Sequence, residues 1–353
     1  MMTADLLPAG WGFISTDTPL PPLQEVVEST HYMTLPMAVR FRGVQQRESV
    51  LIRGTHGWGE FAPFIEYEDP EALFWLSSAL EAAYLPPVKS QRAEIAVNAT
   101  LPAVAPEQVE NVLARYEGQI EELKIKVAEQ GQSLDNDIAR LRRVRKLLPD
   151  AKLKVDANMG WSMEQAQQAL CAFEEFELLY CEQPVATIEQ LAALRAWRDS
   201  RGLSVRIAAD ESVRKANDPL RVAREGAADV LVLKAAPLGG VRRAREVIER
   251  AGLPAVISSA LESSVGIATG VSLAASLDSL PYGCGLDTVS LLSEDCAAQP
   301  YRSVNGRMEV RTITPDSARL QQLASSTERA SWWRARIERC YALLEASIQA
   351  HSG

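Results

Sequence analysis

The chain has few histidines, no paired cysteines and no excess of positive charge. Its only histidines are His31, His56 and His351, so none falls between residues 57 and 350. Five cysteines (Cys171, Cys181, Cys284, Cys296, Cys340) make an odd count without a CxxC pair. That excludes a disulfide framework and a cysteine-based zinc site, and a reduced cytoplasm is the expected compartment. The net charge of −9 and isoelectric point near 5.1 argue against nucleic acid or an anionic membrane as the main partner, because both need a basic surface. No apolar run approaches the roughly 18 residues of a membrane span. The N-terminus lacks a basic stretch followed by an apolar core, so no secretory signal is expected. Nothing in the sequence fixes an oligomeric state.

What is present is a series of apolar runs that end in charge. Five of them lie between residues 121 and 237: LKIKV, LKVDAN, LLYCEQP, VRIAADES and VLVLKAAP. They deliver Lys124 and Lys126, then Asp156, Glu182, Asp210 and Lys234. From Lys126 onward the intervals are 30, 26, 28 and 24 residues, the length of one strand–loop–helix–loop unit. Such units build a parallel sheet, and a closed parallel barrel brings every strand end to one rim. A length of 353 residues, 47% apolar and 24% charged, leaves room for a barrel and one smaller domain.

The chain before the barrel reads differently. Strands at 33–42 and 49–53, a turn at 54–57 and a further strand make an antiparallel meander. Asp69-Pro70 then reads as an N-cap and first helical residue for a helix over 71–84. The Pro86-Pro87 pair marks a boundary, giving an α+β domain over 1–90 and a barrel over 91–299. Within the barrel, 94–99 is the expected first strand, 107–116 its helix, 254–258 a seventh apolar run and 282–288 a weak eighth. Ser162-Met-Glu-Gln and Thr187-Ile-Glu-Gln read as capping boxes. Residues 265–277 are apolar nearly all round, as in a buried helix. Asn305-Gly306 signals a hairpin turn; residues 316–348 read as mostly helical, and the tail over 300–353 is expected to pack back on the first domain.

Each charged strand end has an ordinary reading beside a chemical one. Lys124 and Lys126 alternate onto one strand face, which also suits an edge strand with lysines in water. A single acid at a strand end is usually a cap or a solvated loop residue. Three acids at successive unit intervals suit magnesium rather than zinc: no histidine is near them, and Cys181, which adjoins Glu182, faces the opposite way by alternation. Asn158 and Glu211 are placed to hydrogen-bond the ligating groups, or else are turn residues. Lys234 faces the rim from across the barrel. Two lysines on opposite faces of a metal-bound carboxylate can move a proton at the adjacent carbon.

The set Lys124-x-Lys126, DAN at Asp156, CEQP at Glu182, ADES at Asp210 and LK at Lys234 resembles the muconate-lactonising subgroup of the enolase superfamily, and within it the o-succinylbenzoate synthases. More specific strings are FRG at 41–43, GWGEFAPF at 57–64, DANMGW at 156–161 and SSALESSVG at 258–266. The resemblance implies a (β/α)7β modified TIM barrel under an N-terminal α+β capping domain, with Mg2+ on Asp156, Glu182 and Asp210. It implies a small-molecule carboxylate substrate, dehydrated to o-succinylbenzoate in menaquinone synthesis. Lys126 would be the base, Lys234 a cation over the planar anion, and Lys124 would tune Lys126 and approach the carboxylate. Ser258 and Ser259, with nearby backbone amides, are candidates for the succinyl carboxylate, or a Ser-rich turn opening the next helix. Loops at 15–22 and 54–64 are expected to cover the substrate. The absent barrel histidine and Gly285-Leu-Asp287 depart from the mandelate-racemase and dipeptide-epimerase patterns. N-acylamino acid racemases, which use the same two lysines, remain an alternative, as does a silent barrel acting as a binding or scaffold protein.

Overall fold

The computed structural model describes residues 19–41, 44–214 and 219–352; part of the expected 15–22 cover, and Arg42 and Gly43 of the FRG string, lie outside these. The N-terminal unit comprises helix α1 (Leu23–Glu28), strands β1 (Thr30–Phe41), β2 (Val44–Arg53) and β3 (Trp58–Phe61), and helix α2 (Asp69–Tyr84). The strands form an antiparallel sheet in sequence order. The glycines of its last turn serve close packing on α2. A Cβ on Gly54 would stand 2.3 Å from the Ala83 carbonyl oxygen, and one on Gly59 1.9 Å from that of Ala79, so only glycine lets the sheet approach this helix. The 54–57 turn therefore seats on α2, and of the expected cover at 54–64 it is Phe64 that lines the cleft described below.

Asp69 does not cap α2. Glu68 precedes the helix without a side-chain cap, and Asp69 is its first residue. Its carboxylate faces the C-terminal helix instead, at 2.5 Å from Arg339 Nε and 3.5 Å from Arg336 Nε.

The expected first barrel strand is broken in two. β4 (Glu94–Ala96) pairs antiparallel with β12 (Arg307–Glu309), and β5 (Ala99–Leu101) enters the barrel. The expected 107–116 helix is a short 3-10 turn followed by α3 (Val109–Leu113). The units then alternate: β6 (Glu122–Lys126), α4 (Leu134–Leu147), β7 (Lys152–Asp156), α5 (Met163–Phe173), β8 (Cys181–Glu182), α6 (Ile188–Ser200) and β9 (Ile207–Ala209). After the short helices α7 (Glu211–Arg214) and α8 (Arg221–Arg224) come β10 (Val230–Leu233), α9 (Val241–Ala251), β11 (Ala255–Ile257) and α10 (Ser264–Ser276). Both capping boxes form: Ser162 with Gln165 opens α5, and Thr187 with Gln190 opens α6.

β5 to β11 make a parallel sheet in sequence order. Strand alternation splits their side chains. Leu123, Ile125, Leu153, Val155, Cys181, Leu231 and Leu233 join the layer between strands and helices. Tyr180, Ala208, Val230, Val232, Val256 and Tyr282 fill the barrel.

Closure of the barrel depends on residues 282–285, which form no regular strand. Cys284 bridges to Val97 and Gly285 to Ser258. Between those walls two charged side chains from β6 and β7 hold Gly283. Glu122 Oε2 accepts from its amide at 2.9 Å, and Lys154 Nζ donates to its carbonyl at 2.6 Å. Lys154 also donates to Asn98 at 3.1 Å and pairs with Glu122 at 2.7 Å. Burial pulls this ammonium below the usual lysine range, with Glu122 pulling back.

The tail supplies α11 (Ser317–Gln322) and α12 (Thr327–Ser352). Trp333, Ile337, Cys340 and Leu344 of α12 share one apolar core with Leu73, Leu76 and Leu80 of α2. Among the described residues no helix is long and apolar enough to cross a membrane.

Lys154→Met alone strands a carboxylate at the barrel seam, so it is expected to destabilise by about 3–5 kcal/mol. Glu122→Gln with Lys154→Met should lose clearly less than the sum of the two single variants in denaturant unfolding. Additive losses would show that the two side chains do not act as a pair.

Candidate active site

The rim at the C-terminal ends of the strands gathers every charged strand end picked out in the sequence. Lys126 on β6 is in register with Asp156 on β7, and Asp156 with Glu182 on β8. Asp210 follows β9 and Lys234 follows β10. All six side chains are buried: Lys124, Lys126 and Lys234 are 6%, 8% and 5% exposed, and the three carboxylates 1% or less. Charges so buried are tolerable only when paired, and these are. Lys124 Nζ lies 3.3 and 3.2 Å from the two Glu182 oxygens and 3.5 Å from Asp156 Oδ2. Lys126 is paired with Asp156, and Lys234 with Asp210.

Burial alone would lower the Lys124 ammonium, but Glu182, Asp156 and Asp210 outweigh it and hold it above the ordinary lysine range. Glu182 is pushed up by burial, then by its neighbour Asp156, with Lys124 opposing. The carboxylates face ammonium groups, and among the described residues no three His, Cys, Asp or Glu side chains form a ready metal-holding group.

Asn158 and Glu211 stand beside this cluster. Asn158 Oδ1 accepts from Lys126 at 2.7 Å, its amide reaches Asp156 Oδ1 at 3.0 Å, and its Nδ2 donates to Glu211 Oε1 at 3.2 Å. Gln183 was not singled out in the sequence, though it follows Glu182 directly. Buried, its Oε1 accepts from the amides of Asp210 (3.0 Å) and Ser212 (3.1 Å), which ties β8 to the end of β9. Asn158, Gln183 and Leu261 all have positive φ (45°, 41° and 62°), a cost that surrounding contacts must hold in place.

The cluster forms one side of a cleft whose other side is Phe64, Ala260 and Leu261. Ser258, Ser259, Thr100 and Thr288 also line it. Ser259 Oγ meets Thr288 Oγ1 at 2.7 Å, and Ser258 Oγ lies 3.5 Å from the Gly285 carbonyl. Four of the neighbouring backbone amides, candidates for a carboxylate, are already engaged. Those of Ser258 and Ser259 complete the barrel ladder with Leu233 and Gly285. Those of Ser263 and Ser264, at the start of α10, bond Glu60 and Asp295 at 3.0 Å each.

Two family models match the chain: an enolase C-terminal domain-like model over residues 106–315 and an enolase N-terminal domain-like model over 32–83. The o-succinylbenzoate synthase of Mycolicibacterium smegmatis is 51% identical over 92% of this chain and 99% of its own. That of Mycobacterium marinum is 49% identical over 91% and 96%. The chain belongs to the o-succinylbenzoate synthase family of the enolase superfamily. Solved structures share the fold at lower identity. Muconate lactonizing enzyme from Pseudomonas fluorescens superposes with a TM-score of 0.71 at 21% identity, covering 84% of this chain and 98% of that one. A 2-chloromuconate cycloisomerase from Rhodococcus opacus gives 0.69 with the same identity and coverage. The capped parallel barrel read from the sequence is thus the family fold.

In this member of the family, the wall of the cleft conceals a further carboxyl group. Glu262 is pushed up to about 7 by burial and by Glu60, while Arg47 pulls the other way. An unfolded glutamate releases its proton near 4.5, so between 4.5 and about 7 the folded state binds more protons and stability falls as pH rises. Glutamine mimics the protonated form and can keep the bond from the Ala260 amide (2.5 Å). Glu262→Gln is therefore expected to raise the melting temperature more at pH 8 than at pH 5. An equal change at both would place the titration elsewhere.

Proposed function

We propose that the chain catalyses the magnesium-dependent syn dehydration of 2-succinyl-6-hydroxy-2,4-cyclohexadiene-1-carboxylate to o-succinylbenzoate, a step of menaquinone synthesis. The observation that carries this reading is the meeting of three ammonium groups with three carboxylates at one buried rim, in a chain 51% identical to a relative bearing that activity's name. The donor set suits a hard cation: oxygen ligands only, from Asp156, Glu182 and Asp210, with Cys181 turned away into the layer between strands and helices. For those carboxylates to hold magnesium, the ammonium groups must move off them. Once bound, the ion would draw charge from the substrate carboxylate and make the neighbouring C–H more acidic.

The remaining work falls to the chain's own side chains. Lys126, as the free amine, takes the proton from the ring carbon beside the carboxylate. The released electron pair forms the new ring double bond as the C–O bond to the hydroxyl breaks. Lys126 returns the proton to the departing hydroxide, so the products are o-succinylbenzoate and water. One base serves both transfers because both groups leave from one face. Lys234, on the far side of the rim, holds a fixed positive charge against the other face. Lys124, kept charged by its carboxylate partners, approaches the substrate carboxylate. Ser258 and Ser259 present hydroxyls to the rest of the molecule. Burial of the rim side chains keeps water from weakening these charges.

Purified protein with magnesium and the cyclohexadiene substrate should generate the aromatic product, seen by its absorbance. A chelator should stop this and added magnesium restore it. Racemisation of an N-acylamino acid without aromatic product would favour the isomerase reading. Lys234→Arg keeps the charge and should retain measurable activity, whereas Lys126→Arg removes the base and should cost about 10²–10⁴-fold in kcat. Full activity in Lys126→Arg would show that the base is another group.

The ammonium–carboxylate pairing also makes a binding prediction. Lys124→Met removes a positive charge that competes with the metal, so titration calorimetry without substrate should find tighter magnesium binding than in the wild type. Unchanged or weaker binding would mean that the ammonium does not compete.

A further inference from the structure

Arg47 lies on β2 of the cap, is 3% exposed, and touches none of the groups assigned to the chemistry. It sits directly behind the apolar wall of the cleft. Its Nε donates to the Leu261 carbonyl at 3.2 Å, and its Nη2 to the Ala260 carbonyl at 3.4 Å and to the Ala62 carbonyl. Its guanidinium carbon stands 4.4 Å from the centre of the Phe64 ring. Phe64, Ala260 and Leu261 are the wall that faces the lysines and carboxylates. Phe64 and Leu261 form a small apolar cluster with Leu291, apart from the main cores, with Met37, Val44 and Tyr67 packed around it. Leu261 is held at a φ of 62°, a conformation a leucine keeps only when its surroundings enforce it. One planar side chain thus grips the barrel loop by two carbonyls and the cap loop by a third, and supports the aromatic ring between them. An ammonium cannot reproduce that fork.

We propose that Arg47 is a positioning residue that fixes this apolar wall, and that the wall selects the part of the substrate that takes no part in the chemistry. The inference rests on the function proposed above. With the carboxylate end of the substrate committed to the charged side of the cleft, the remainder faces Phe64, Ala260 and Leu261. A displaced wall weakens binding of substrate and product alike, while the rim, built on β6 to β10, keeps its geometry.

The test uses the full chain with magnesium and compares wild type with Arg47→Gln, Arg47→Lys and Phe64→Leu. Steady-state kinetics on the cyclohexadiene substrate are paired with calorimetric binding of o-succinylbenzoate. In both Arg47 variants KM and the product Kd should rise together by about tenfold or more while kcat changes by less than about threefold, the pattern of lost uniform binding. Phe64→Leu leaves the guanidinium and its carbonyl partners in place and should raise KM and Kd in the same way. Leu76→Ala, in the cap core, controls for general loosening: it should lower the melting temperature and leave KM unchanged. The proposal is overturned if KM and Kd stay at wild-type values in Phe64→Leu or in the Arg47 variants, if kcat alone falls, or if Leu76→Ala raises KM equally. A wild type that neither forms nor binds o-succinylbenzoate would refute the function itself; an active wild type with indifferent variants would refute the role of Arg47 alone.

Discussion

The rest of the structure depends on the mutual neutralisation of three lysines and three carboxylates in the barrel mouth. Any one of these charges, buried alone, would cost several kcal/mol. Together, Lys124 with Glu182 and Asp156, Lys126 with Asp156, and Lys234 with Asp210 make an arrangement that is tolerable away from water. It is also unfinished. Under the proposed function the carboxylates receive a cation when the ammonium groups are drawn elsewhere, and a substrate carboxylate is a group that can draw them.

A cluster of this kind needs a dry enclosure, and the cap provides it by attaching to the helices that follow the site-bearing strands. Glu81 of α2 accepts from the Val241 and Arg242 amides at 3.1 and 3.2 Å, at the start of α9, just beyond Lys234. Glu60 of β3 does the same for α10, just beyond Ser258, through the amides of Ser263 (3.0 Å) and Gly266 (2.7 Å). Unsatisfied amides at a helix start attract carboxylates, and here both carboxylates come from the other domain. The cap contributes Phe64 to the cleft as a fixed wall, joined to the barrel through Arg47, Glu60 and Glu81.

The barrel floor solves a different problem. The segment that should be its eighth strand is too irregular to complete the ladder, so Glu122 supplies an acceptor and Lys154 a donor where backbone partners of Gly283 are missing. Polar residues therefore occupy two levels of the β6 and β7 faces, the upper set for chemistry and the lower set for closure. Glu122, just ahead of LKIKV, together with that run, and LKVDAN alone, carry both sets in the same alternating phase.

That alternation explains what the sequence by itself determined. Period-two patterning sends Lys124, Lys126, Asp156 and Glu182 to one face of their strands, and unit-length spacing places successive strand ends on one rim. The capping boxes at Ser162 and Thr187 were equally legible, because both partners lie within one helical turn. Tertiary structure decided everything that depends on distant partners. Asp69 has the local signature of a cap, yet it is drawn to Arg339, 270 residues away. The 94–99 strand divides because its first half is claimed by β12 and its second by β6. The amides of the Ser-rich turn are taken by Glu60 and Asp295, and Arg47 reaches Leu261 across 214 residues. Local periodicity is written in neighbouring side chains and survives without the fold. The pairing of buried charges is settled only when the barrel closes and the cap seats on it, because only then does burial make each unpaired group too costly to leave alone.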